Sequence, residues 1–101
     1  MTDNKIIHTL IEKELAEANQ IHPLFQSPHE AYAVMLEEVE ELEEEVAYIR
    51  KRLAEMWERI RNDCGVEDIL HKIKGGAVHA TQENIQVGAM AQKALDSLYK
   101  E

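Results

Sequence analysis

The chain has 101 residues, a formal net charge of −9, scarce Pro and Gly (2 and 4) and 5% aromatic residues. That size suits one domain, 1–101, and so few breakers and aromatics exclude a β-sandwich or barrel in favour of an all-α fold. The negative balance repels phosphodiester backbones and excludes nucleic-acid binding through a basic surface, although a nucleotide held through cations stays compatible with it. Cys64 is the single cysteine, so no intrachain disulfide forms, which fits a reducing, cytoplasmic setting. The longest apolar run, Ala31 to Leu36, is too short to span a bilayer, and the residues Met1 to Lys5 lack signal-peptide features. No membrane partner is expected.

In chain order, the first predicted helix runs from about Asp3 to Asn19. Ile6, Ile7, Leu10, Ile11 and Leu15 recur on one face, and Thr2 or Asp3 caps the free N–H groups. Ile21 to Gln26 is a connector in which Pro23 pushes His22 toward an extended conformation. Ser27, Pro28 and Glu30 then form a helix-start signal. Proline suits the first helical position, and serine followed three residues on by glutamate is a capping box.

The second helix is predicted from Pro28 to Asn62. Tyr32, Met35, Val39, Leu42, Val46, Ile49, Leu53, Met56 and Ile60 follow alternating steps of three and four, the period of helices packed knobs-into-holes. Asn62, Asp63 and Gly65 close it, with Gly65 expected to take the left-handed stop. At about 1.5 Å per residue the helix is roughly 50 Å long, whereas a compact domain of this size has a radius of gyration of about 13 Å. Its seam therefore predicts a helical bundle with one long central helix, completed by homo-oligomerisation as a homodimer or homotetramer. A short helix over about Val66 to Lys74 follows. Gly75-Gly76 is read as a break, since two helical glycines cost roughly 2 kcal/mol relative to alanine, and a last helix runs from about Val78 to Tyr99.

Chemistry concentrates in Glu37 to Glu45, where seven of nine residues are glutamate. A solvated helix face near an N-terminus explains Glu37, Glu40 and Glu44. Glu38 and Glu41, three apart beside the seam, repel each other and call for a compensating hard cation such as Mg2+. Spacing alone favours surface charge over metal binding even so. On the last helix Glu83 and Gln86 are again three apart, with His79 one turn before; for His79 a polar position beside the core is preferred. Arg52 is read as a solvated arginine with a lesser option of holding a phosphate. His22, Phe25 and Tyr32 suit ordinary packing as well as framing a nucleobase. Trp57 is read as core or interface, and Cys64 lacks an activating base.

Ser27-Pro28-His29-Glu30-Ala31-Tyr32-Ala33-Val34-Met35-Leu36-Glu37-Glu38-Val39-Glu40-Glu41-Leu42 resembles the first motif block of the MazG-like all-α nucleoside triphosphate pyrophosphohydrolases, especially the short phage and Gram-positive type. That superfamily carries Glu-Glu-x-x-Glu on one helix and Glu-x-x-Asp on a later one. Glu37, Glu38 and Glu41 match the first; Glu83-Asn84-Ile85-Gln86 sits where the second belongs. The resemblance implies Mg2+ (or Mn2+) held by Glu38, Glu41 and Glu83, with Gln86 at the remaining position. It further implies water cleaving a nucleotide to the monophosphate and pyrophosphate, with Glu37 or Glu41 orienting that water. Gln86 replaces the family's aspartate, which weakens metal binding or removes one metal. The alternative is a non-catalytic helical oligomer, an interaction protein or a degenerate relative that has lost turnover.

Overall fold

The computed structural model describes residues 3–21 and 24–99; Thr2, His22 and Pro23 lie outside them. Three helices account for nearly all of these residues: α1 (Asn4–Ile21), α2 (Pro28–Arg61) and α3 (Glu67–Leu98). Helix α1 starts on Asp3, whose carboxylate accepts from the Lys5 N–H at 2.8 Å. Helix α2 starts on Ser27, whose hydroxyl accepts from the Glu30 N–H at 3.2 Å. Glu30 reaches back one residue further than a capping box requires, accepting from the Gln26 N–H at 3.2 Å.

The end of α2 corrects one sequence expectation. Asp63, at φ 55°, takes the left-handed position, and Gly65 does not. The Cys64 N–H reaches the Arg59 carbonyl at 2.8 Å and the Asp63 N–H the Ile60 carbonyl at 3.1 Å, the paired bonds of a Schellman stop. Aspartate tolerates this conformation better than most residues with a Cβ. Arg59 then pins the turn by donating to the Gly65 carbonyl and to the Asp68 carboxylate.

With so short a turn, α2 and α3 form an antiparallel hairpin, and α1 packs on α3 rather than on α2. The assembly is elongated, 61 × 28 × 21 Å with a radius of gyration of 17.5 Å. Helix α3 is continuous, which corrects the expected break at Gly75-Gly76. The reason is packing. A Cβ on Gly76 would lie 3.0 Å from Ile49 Cγ1 and from the Tyr48 ring, so its absence lets the two backbones approach closely. That contact outweighs the weak helix propensity of glycine. Gly88 serves α1 likewise, since a Cβ there would lie 2.8 Å from Ile11 Cδ1.

The buried apolar set among the described residues is small: Phe25, Ala31, Ile69 and Ala89. The α2 seam is covered unevenly. Val39, Leu42 and Ile49 are half-buried, while Tyr32, Leu53 and Ile60 are 65%, 51% and 49% exposed. Trp57, expected in a core or interface, is 58% exposed within the single chain.

Gly75 and Gly76 provide a paired test of this packing. Nothing lies within 4 Å of a Cβ at Gly75, so Gly75→Ala should raise stability by about 0.5–1 kcal/mol through helix propensity. Gly76→Leu should lower it by about 1–3 kcal/mol through overpacking against Tyr48 and Ile49. Urea titration of both variants checks this; equal effects would contradict the close α2–α3 approach.

Candidate metal centre and adjoining cavity

The antiparallel register sets Glu83 of α3 opposite Glu38 and Glu41 of α2. One carboxylate oxygen from each of the three residues lies within 4.8 Å of the other two. Glu38 and Glu83 are half-buried, and Glu41 is exposed at the rim. The Oε2 atoms of Glu38 and Glu83 are buried without a hydrogen-bond partner among the described residues. Two helices thus press three like charges together and strip water from two oxygens.

The electrostatics follow from that crowding. Burial, the adjacent Glu41 carboxylate and the charge of Glu38 push the Glu83 carboxyl from its ordinary value near 4.5 up to about 7. Burial also raises Glu38, with the charges of Glu41 and Glu37 adding to it, while the nearness of the Glu83 carboxyl pulls the other way. Below about pH 7 a proton on Glu83 offsets part of this repulsion. Three hard oxygen donors, two of them partly desolvated and unpartnered, are a donor set that fits a hard divalent cation such as Mg2+ or Mn2+.

The other residues singled out by sequence fall around this cluster. Gln86, one turn after Glu83, is half-buried and lines a cavity of about 520 Å3 together with Glu37, Glu38, Phe25 and Met90. Glu37 is exposed on that cavity's edge. His79 Nδ1 lies 3.9 Å from a Glu45 carboxylate oxygen, one turn from Glu41. Tyr32 is outward-facing and does not line the cavity, whereas Phe25 is 5% exposed and does.

Arg52 departs from its expected solvated state. Its side chain is 14% exposed, stacked 4.7 Å from the Tyr48 ring centroid and bonded to Glu55 at 2.7 Å. It stiffens the far end of the α2 face and is not a neighbour of the carboxylates. Sequence reasoning passed over Lys93 entirely. Lys93 is 2% exposed, lines the cavity and holds its ammonium 4.9 Å from the Phe25 ring centroid. The signal was its spacing: Gln86, Met90 and Lys93 step by four and three along one face of α3.

No protein-family model, no curated protein and no solved structure matches this chain.

The raised Glu83 carboxyl generates a pH prediction with a definite sign. Below about pH 4.5 the folded and unfolded states both keep the proton. Between about 4.5 and 7 only the folded state keeps it, so the stability this group contributes is lost as pH rises through about 7. In chelator, Glu83→Gln should therefore leave the melting temperature nearly unchanged at pH 4.5. At pH 8 it should raise it by several degrees, on the order of 1 kcal/mol. Thermal melts of variant and parent at both pH values check this; a difference independent of pH would contradict the coupling.

Proposed function

We propose that this chain is a Mg2+-dependent nucleotide pyrophosphohydrolase that cleaves between the α and β phosphates, releasing a nucleoside monophosphate and pyrophosphate. The observation that carries the reading is the convergence of Glu38, Glu41 and Glu83 from two helices, with two buried oxygens lacking partners, beside a cavity of about 520 Å3. That volume lies within the range of about 300–1,000 Å3 usual for small-molecule sites. The resemblance of residues 27–42 to the MazG-like block supports the same chemistry.

Glu38, Glu41 and Glu83 would hold the cation, and Gln86 would add a neutral oxygen at the edge. A divalent ion bound there supplies charge neutralisation for the phosphates and acidifies a bound water. The chain's own carboxylates do the rest. Glu37, exposed on the cavity edge, or Glu41, at the rim of the cluster, orients the attacking water and accepts its proton. The water oxygen forms the new bond to phosphorus, the bond from phosphorus to the bridging oxygen breaks, and that oxygen leaves on the departing phosphate group.

Self-association belongs to the same proposal. Leu53, Trp57 and Ile60 on α2, and Leu70 on α3, leave large apolar areas open at one end of an elongated monomer. A homodimer, or a dimer of dimers, would cover them. Among the described residues no helix is long and apolar enough to cross a membrane, and an exposed lone Cys64 suits a reducing, cytoplasmic compartment. The second reading is a non-catalytic helical oligomer. It is favoured by Gln86 standing where the MazG-like pattern has aspartate, and by the same apolar surface.

Turnover and metal binding separate these readings, and sedimentation tests the self-association common to both. Pyrophosphate release from a panel of canonical and modified nucleotides with Mg2+ or Mn2+ tests turnover directly. Gln86→Asp should tighten metal binding and raise turnover, and Glu38→Gln should weaken both by tenfold or more. Identical calorimetric isotherms for parent and both variants would leave the non-catalytic oligomer standing. Calorimetry at pH 6.5 should also show about one proton released per metal bound, since Glu83 gives up its proton to the cation. Sedimentation equilibrium at micromolar concentration should return a dimer or tetramer mass, and a folded monomer would refute self-association.

A further inference from the structure

The cavity beside the carboxylates contains a group that the metal-centred chemistry leaves unused. Lys93 is 2% exposed, and among the described residues no carboxylate oxygen lies within 4.0 Å of its ammonium. Its ammonium donates no hydrogen bond to a described residue either. Among the described residues its compensating contact is the face of Phe25, 4.9 Å to the centroid. A lysine side chain this enclosed, opening only onto the cavity, normally directs its ammonium at an anionic or hydrogen-bonding partner.

Its setting is built rather than incidental. The Phe25 N–H donates to Ser97 Oγ at 3.1 Å, and that hydroxyl donates in turn to the Lys93 carbonyl at 2.6 Å. Connector and α3 therefore hold Phe25 and Lys93 as a pair. Ala18 and Ile21 on α1, Val34 on α2 and Met90 on α3 supply the apolar part of the wall, and Gln86 a neutral polar one. Among the described residues every other charged side chain lining the cavity is a glutamate, from Glu14 on α1 to Glu38 on α2. An anion entering on its own is repelled by that ring of carboxylates. A neutral planar group is not, and Lys93 offers it a donor and no acceptor.

Resting on the pyrophosphohydrolase reading, we propose that Lys93 is the specificity-determining donor of a nucleoside subsite, hydrogen-bonding an exocyclic oxo group of the base and disfavouring an amino group at the same position. The phosphates face Glu38, Glu41 and Glu83. The base lies among Phe25, Met90 and Lys93, about 10 Å further along α3 by the axial rise from Gln86 to Lys93. An amino group there would direct its N–H bonds at an ammonium that has none to accept them, leaving both unpaired. Loss of one buried polar partner is the condition under which a site discriminates most strongly.

The test uses the full chain and Mg2+ complexes of non-hydrolysable α,β-imido nucleotides in matched pairs: uridine against cytidine, and inosine against adenosine. Inorganic tripolyphosphate serves as the phosphate-only probe. Calorimetry should show the oxo member of at least one pair binding about tenfold or more tighter. Lys93→Met keeps the length and apolar body of the side chain in a buried position. It should abolish that preference while leaving tripolyphosphate affinity unchanged. Equal loss for oxo, amino and tripolyphosphate ligands would make Lys93 a phosphate contact and overturn the proposal. Nucleotides binding no better than tripolyphosphate, or without an oxo preference, would overturn it while the metal–phosphate reading stood. No binding of any probe, tripolyphosphate included, would overturn both.

Discussion

The antiparallel contact between α2 and α3 is the constraint on which the remaining features depend. It is set by a side chain that is missing. At Gly76 the α3 backbone comes so close to Tyr48 and Ile49 that a Cβ would lie 3.0 Å from their atoms. With the helices fixed there and the turn closed by Asp63 and Arg59, the hairpin register follows. That register, rather than any local attraction, brings Glu83 across from Glu38 and Glu41. Three carboxylates would not assemble by themselves; packing elsewhere on the same two helices forces them together.

Two kinds of buried charge then sit along one groove. At one end are carboxylate oxygens without partners among the described residues, whose crowding favours a proton on Glu83 below about pH 7. At the other end is the Lys93 ammonium, with an aromatic face for company. The two are not paired with each other, although pairing is the usual solution for charges withdrawn from water. Separated opposite charges of this kind suit a ligand with a charged portion, reached through cations, and a neutral portion with an acceptor. This is the physical content behind reading the groove as a nucleotide site with its phosphates and base at different ends.

The shape of the molecule bears on how it persists in solution. A radius of gyration of 17.5 Å against about 13 Å for a compact domain of this length means that much apolar side-chain surface is not removed from water by the chain alone. Helix α1 covers part of α3 through Gly88 and Ile11, but the distal half of the α2–α3 hairpin has no third helix over it. The apolar residues there are spaced as a packing seam, so an additional helical surface is the natural complement.

Most of the local structure was legible in the residues themselves. The helix start at Ser27-Pro28-x-Glu30 and the seam of α2 come from interactions within a few positions of one another, which sequence spacing reports directly. The acidic pair on α2 was legible for the same reason. Three features were not, two of them because they depend on which distant segment lies opposite. Gly75-Gly76 reads as a break because glycine is a poor helix former, yet Tyr48 and Ile49, far away in sequence, make Gly76 a packing position. Gly65 reads as the left-handed residue, yet the hydrogen bonds closing α2 set that position at Asp63. Lys93 has no distinguishing local pattern beyond its spacing from Gln86 and Met90, yet Phe25, held across the connector by Ser97, puts it inside. The sequence by itself determined the all-helical character, the start of α2 and the apolar faces, because those are governed by local periodicity and hydrogen bonding. Only the tertiary structure decided which glycine is a contact, which carboxylates meet and which cation is buried, because burial and charge proximity depend on the register of one helix against another.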